Sequence, residues 1–322
     1  MITQEKIQEF EVFVIRNEYL EVRVIPALGA KIIGVKYLPT GREWMWRPPG
    51  EVKLFANKPG DLFGDGPKIG ADEFVPTIEP CEWQGKVYPS CGEAWTAVWD
   101  VNIDELPRDI LETYADLPIS KLSMKRRIRL NKSALEFNYE LINTGETGTD
   151  YLWACQALLA VQEQDRVLLP SESDLVTTEL GIRSEWGRRG LSVHWPVPEE
   201  GTDFSRMRFN RGNAAIKLYT DELIIPVVAV KNDGTGEFFV CATDMNEINT
   251  FALWINKGGW DGYHHVGIAP SSGAPDSLAA AVEEWKRSST LAPRENRRWT
   301  MRWHLGVDKE KDGDDFLEHF FY

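Results

Sequence analysis

Tyr19-Leu20-Glu21-Val22-Arg23-Val24-Ile25 runs directly into Pro26-Ala27-Leu28-Gly29. The alternation has a period of two, so Leu20, Val22 and Val24 fall on one side of an extended chain and Glu21 and Arg23 on the other. The Pro-to-Gly segment then ends the strand with turn chemistry. Residues 31–38 are again β-rich and stop at Pro39-Thr40-Gly41, which predicts an antiparallel meander. The same reading recurs further along. Residues 123–130 and 135–142 alternate on either side of Asn131-Lys132-Ser133, as a hairpin would. Late in the chain Trp299, Met301, Trp303 and Leu305 share a face opposite Thr300, Arg302 and His304.

Residues 151–161 and 250–255 are apolar enough to be strands buried on both faces, at the centre of a sheet. Only residues 276–285 read as a convincing helix, a short one with Asp276 as its N-cap. Strands without regularly alternating helices exclude a parallel sheet. No repeat, low-complexity tract or Gly/Ser linker divides the chain. The expected architecture is therefore all-β: one large antiparallel β-sandwich (a supersandwich) spanning residues 1–322, with one or two short helices. Residues 52–69 and 163–204 are long loops, and long loops on β scaffolds tend to line sites.

Composition narrows the partners. Lys and Arg number 36 against 50 Asp and Glu, a formal net charge of −14, which repels nucleic acid and anionic membrane surfaces. A neutral polyol meets no such barrier. Residues 1–10 lack a basic segment followed by an apolar one, and no apolar run approaches the roughly 20 residues that span a bilayer. A soluble, cytoplasmic chain is expected. Cys81, Cys91, Cys155 and Cys241 are scattered without a paired spacing or a neighbouring histidine, so free thiols are expected and no metal site or cofactor.

The segment richest in chemistry runs from Gly70-Ala71-Asp72-Glu73-Phe74-Val75-Pro76-Thr77-Ile78 to Cys91-Gly92-Glu93-Ala94-Trp95. With the opening meander and its Thr40-Gly41-Arg42, it resembles the galactose mutarotase-like (aldose 1-epimerase) superfamily. A third stretch joins Trp153-Ala154-Cys155-Gln156 to Gly267-Ile268-Ala269-Pro270-Ser271-Ser272-Gly273 and Asp276-Ser277-Leu278. Together the three cover most of the chain. The resemblance implies a small-molecule carbohydrate as partner and a site on a β-sandwich. It also exposes a departure: Cys91 and Gln156 stand where the family carries histidines, and Ala269 where it carries a glutamate. Ring opening needs a base for the anomeric hydroxyl and an acid for the ring oxygen. Glutamine cannot transfer a proton near neutrality, and alanine offers no polar group.

Substitute catalysts are then sought among His265, Glu93 and Asp72. If residues 263–269 form a strand, His265 shares a face with Gly267 and Ala269 but lies about 13 Å from Ala269, at about 3.3 Å per residue. It would serve a displaced substrate, or be structural. Glu93 and the Asp72/Glu73 pair would bind sugar hydroxyls or carry protons, the alternative being ion pairs or backbone caps. Glu73, Cys91, Trp95, Gln156, Lys257, Trp260 and Asp261 complete the candidate binding set. Lys257 in that set would hold a carboxylate or sulfate on a modified sugar. Trp83, Trp95 and Trp260 are expected to be exposed for stacking. Two functions remain open: an aldose 1-epimerase-like enzyme with a non-standard acid/base set, and a sugar-binding or sensing protein that has lost the catalysts.

Overall fold

The computed structural model describes residues 1–173, 175–182, 187–196, 203–209 and 213–321. Two antiparallel sheets dominate it. The larger has twelve strands and the smaller eight. The opening meander is there as read: Leu20–Ile25 pairs with Lys31–Tyr37, preceded by Phe10–Arg16 and an outermost strand Ile2–Ile7. That outermost strand was illegible because its middle residues, Thr3 to Lys6, are exposed and polar. No alternation marks an edge strand that buries neither face.

Across the centre of the large sheet the order is Lys31–Tyr37, Ala71–Phe74, Ala154–Leu159, His264–Ser271, Thr250–Lys257, Ala214–Thr220 and Leu175–Ile182. The small sheet holds the hairpin Leu122–Asn131 and Ala134–Asn143 beside the last long strand, Asn296–Val307. The inward faces of the two sheets share one core. Val22, Ile32, Cys155, Leu253 and Ile268 from the large sheet join Met124, Phe137, Tyr139, Trp299 and Trp303 from the small one. Tyr139, Trp153 and Trp299 meet ring to ring at about 5 Å in this layer.

Among the described residues there are two short α-helices, Leu278–Glu283 and Gly313–Leu317. The first corrects the expected cap: Ser277, not Asp276, accepts from the Ala280 amide, which frees the Asp276 side chain for other partners. The long loop at 163–204 is also corrected in part, since it contains the strands Asp165–Leu168, Leu175–Ile182 and Ser192–His194. Residues 174, 183–186 and 197–202 of that stretch lie outside the described residues. Among the described residues no helix is long and apolar enough to cross a membrane.

Candidate functional site

The face of the large sheet turned away from the small one carries a groove of about 670 Å³. Cross-strand register decides which side chains reach it. Lys217, Trp254 and Gly267 stand in one row, and Tyr219, Ala252 and Ala269 in the next. The loop 52–69 forms one wall with Leu62, Phe63, Asp65 and Lys68, as its length suggested. The Ile78–Pro80 and Ser90–Cys91 segments form another, and Trp260 and Asp261 close an end.

The turn at Cys91-Gly92 is shaped by backbone. Both residues have positive φ, 61° and 67°. A Cβ on Gly92 would sit 2.2 Å from the Val75 carbonyl oxygen, so no other residue fits there. Cys91 pays the left-handed conformation's cost, roughly 1–2 kcal/mol, and in return presents its side chain at the groove. Burial pushes its thiol up to about 12, so no thiolate forms near neutrality.

Of the residues singled out from sequence, the groove gathers Cys91, Gln156, Trp260 and Asp261. Asp261 is paired with Lys68 at 3.0 Å, and that ammonium also lies over the Trp260 ring at 4.9 Å. Gln156 is 9% exposed and lines the groove, and its amide makes no hydrogen bond among the described residues. Neither amide atom is among the buried unpaired atoms, so both face the open groove.

The remaining candidates lie outside the lining of the groove. The Glu93 carboxylate does not reach the groove, because it accepts from the backbone amides of Ile119 at 2.7 Å and Ser120 at 2.9 Å. Glu73 points the other way, into the core, where Arg126, Tyr139 and Trp153 all donate to it. Asp72 is fully buried against Lys31 at 2.5 Å, and burial pushes its carboxyl up while Lys31 opposes the shift. Trp95 is 1% exposed, which corrects its expected exposure: it packs with Phe74, Cys91 and Ala154 beneath the groove. Lys257 falls on the opposite side of its strand from Trp254 and donates to the Asp203 carbonyl.

His265 is wholly buried, and its Nε2 accepts from the Trp254 indole at 2.8 Å, which leaves the proton on Nδ1. Burial holds its pKa down to about 3, so it stays neutral and cannot act as an acid at ordinary pH. The Trp46 and Trp260 rings pack against it at 4.4 and 5.8 Å. Its effect on the groove is indirect: it fixes the angle of the Trp254 ring, which does line the groove.

Sequence reasoning missed the charged wall opposite. Lys217 donates to both Asp276 carboxylate oxygens, at 2.6 and 2.7 Å, and Tyr219 donates to Oδ1 at 2.6 Å. Burial and the nearby Asp276 raise the Tyr219 hydroxyl's pKa well above its usual value, so it remains a donor. Behind them Glu179 sits at a bulge in its strand, ion-paired to Arg189 at 3.1 Å. Burial, then Asp276, push the Glu179 carboxyl up to about 7. Lys217 and Tyr219 were readable as two positions sharing one strand face, but Asp276 looked like a cap and lies far along the chain. Among the described residues no cluster of three or more His, Cys, Asp or Glu side chains could hold a metal ion.

Neither a family model nor a curated protein matches the sequence. Solved structures do match. A galactose mutarotase-like protein from Clostridium acetobutylicum superposes with a TM-score of 0.66 at 13% identity, covering 96% of this chain and 99% of that one. A galactose mutarotase related enzyme from Lactobacillus acidophilus gives 0.63 at 14%, covering 94% and 99%. A candidate aldose 1-epimerase from Escherichia coli K12 gives 0.65 at 15%, covering 92% and 99%. At such identities the likeness speaks for architecture, and it extends over nearly the whole of each partner. The chain therefore has the galactose mutarotase-like fold.

Proposed function

We propose that this protein binds a small-molecule carbohydrate in the groove of the large sheet. The observation that carries the reading is Gln156, a side chain about nine-tenths buried that lines the groove with its amide unpaired. An amide offers both a donor and an acceptor, the combination a sugar hydroxyl needs. Aromatic surfaces from Phe63, Phe74, Trp254 and Trp260 surround it, suited to the apolar face of a pyranose ring. The names of the structural relatives point in the same direction.

The position of the missing family catalysts favours binding over the family's own chemistry. Cys91 and Gln156 line the groove, and Ala269 faces the same way in the row of Tyr219. None of the three can exchange a proton near neutrality. Any reaction here uses other groups.

The test is a thermal-shift titration of the full chain against aldoses and their derivatives. Binding to the native state alone raises the melting temperature by mass action, with stability growing about 2.7 kcal/mol at a ligand concentration one hundred times Kd. A graded rise for at least one sugar is expected, and a flat response across the panel would refute the reading.

A further inference from the structure

A second cavity, of about 600 Å³, lies over the opening meander, toward the other end of the large sheet from Lys217. Its floor follows from alternation: Val22, Val24 and Ile32 turn into the core, so Arg23 and Ile33 turn out, and Lys36 joins them. Its roof is the segment 50–54, tied down by one side chain. Gln8 donates to the Val52 carbonyl at 2.8 Å and accepts from the Leu54 amide at 2.9 Å. The loop 52–69 divides the two spaces, since Val52, Leu54 and Ile69 line this cavity while Leu62, Phe63 and Lys68 line the groove.

The charges around this cavity are open. Lys36 stands directly opposite Glu43 in the register of the strands Lys31–Tyr37 and Arg42–Glu43, the placement from which cross-strand ion pairs form. The pair does not close. Among the described residues neither Lys36 nor Arg47 makes an ion pair or a side-chain hydrogen bond, although both line the cavity. Glu43 Oε1 accepts from the Val35 amide at 2.7 Å and the Met45 amide at 2.9 Å, while Oε2 has no hydrogen bond among the described residues and is not sealed from solvent. A Cβ on residue 34 would lie 3.3 Å from Oε2, so the glycine there keeps that oxygen uncovered. Glu51 stands exposed at the rim, likewise without an ion pair among the described residues. Arg23 and Glu5, paired at 3.1 Å, neutralise each other.

That balance selects the ligand. A simple anion would leave Glu43 and Glu51 uncompensated and a simple cation would leave Lys36 and Arg47 so, whereas a small zwitterion meets both sets. Burial raises the pKa of the Glu43 carboxyl against its two amides and the Arg23 and Arg47 charges, so an ammonium at Oε2 supplies a missing counter-charge. The rest of the lining is apolar, with Ile7, Ile33, Met45, Val52, Leu54 and Ile69. We propose that this cavity binds a free α-amino acid with an apolar side chain. Glu43 Oε2 takes its ammonium, Lys36 and Arg47 take its carboxylate, and its side chain lies on the apolar wall. The site is separate from the groove and asks nothing of the carbohydrate reading.

The experiment is isothermal titration of the full chain with L-leucine, beside N-acetyl-L-leucine, which lacks the ammonium, and L-leucinamide, which lacks the carboxylate. L-leucine is expected to bind, and each analogue to bind about tenfold or more weakly. Glu43→Gln keeps an oxygen for the two amides and turns its NH2 to the cavity, so it should weaken L-leucine by about tenfold and leave N-acetyl-L-leucine unchanged. The double variant Lys36→Met/Arg47→Met should weaken L-leucine to a similar degree and leave L-leucinamide unchanged. Arg47 is exposed and Lys36 half-buried, so this variant decides if Glu43→Gln does not fold. No binding of L-leucine, L-isoleucine or L-methionine overturns the proposal. So does an analogue that binds as well as L-leucine, or full L-leucine affinity in a folded variant. Thermal shifts with sugars should be equal in parent and variants, because none of these residues lines the groove. Failure at one site therefore leaves the reading of the other standing.

Discussion

Glu73 and Gln156 stand on adjacent strands, one residue apart in register, and face opposite ways. Glu73 looks into the sandwich and receives three donors, from Arg126 at 3.0 Å, Tyr139 at 2.8 Å and Trp153 at 2.9 Å. Gln156 lines the groove and receives none among the described residues. Both are buried, so exposure alone does not separate them. The difference is that the Glu73 carboxylate is satisfied by core donors, while Gln156 leaves a donor and an acceptor open toward the groove. A polar group closed by its neighbours holds a fold together, and an open one in a concave wall is the mark of a binding site.

Removing the closed side should have the largest effect. Glu73→Ala strands the Arg126 guanidinium, which is 1% exposed and also donates to the Ala30 carbonyl. Loss of one partner from a buried pair costs about 3–5 kcal/mol, so the urea midpoint should fall sharply. A change below 1 kcal/mol would show that water replaces the carboxylate and that the core face is less closed than its hydrogen bonds imply.

His265 tests the boundary between the two faces. Its folded pKa, held down to about 3, lies below the unfolded value of 6.5, so the unfolded chain binds a proton that the native one refuses. Stability is full above about pH 6.5 and drains as pH falls toward 3, through an amount on the order of a few kcal/mol. His265→Phe should flatten part of that acid slope in urea titrations at successive pH values. An unchanged slope would assign the acid sensitivity to other groups, of which His304, held down to about 4 by burial, is the next candidate.

How much of this could be read beforehand follows from how local each signal is. The strand Asn296–Val307 was legible because period-two alternation records burial one residue at a time, and Leu20–Ile25 was legible from the same apolar alternation although Glu21 is buried as well. The large loop wall was legible from length. The fate of the acids was not. Glu73 and Asp72 are neighbours in sequence with the same charge, and only the partner sheet, through Arg126 and Tyr139, makes one of them a core group. Glu93 sits beside a glycine and a tryptophan as a sugar ligand would, yet its partners are amides 26 and 27 residues away. The Lys217–Asp276 pair joins residues 59 apart, and nothing near either one announces the other.

The open side should respond in the opposite sense to the closed one. Gln156→Leu removes an amide that has no partner among the described residues, so stability should stay within about 1 kcal/mol of the parent or rise slightly. Sugar affinity should fall by about tenfold, the order expected for one lost hydrogen bond of about 1.4 kcal/mol. Isothermal titration of parent and variant separates the outcomes. Equal affinity would mean that the amide is spectator to the ligand.

The smallest expected effect concerns Cys91, which faces the same groove as Gln156 but is closed in a different way. Its thiol lies 3.7 Å from the Ser90 hydroxyl and packs among Phe74, Trp95 and Ala154, in surroundings whose burial raises its pKa to about 12. Alkylation requires thiolate, and at pH 8 a group with that pKa supplies only on the order of one part in ten thousand. Iodoacetamide should therefore leave Cys91 unmodified in the native chain over times that label it fully in urea, with peptide mass spectrometry as the readout. Cys81 is the internal control, being the one thiol of the four that is partly exposed. Rapid native labelling at Cys91, with Cys81 no faster, would mean that the groove activates this sulfur, and the line between spent and available groups on this face would then run through Cys91 rather than beside it.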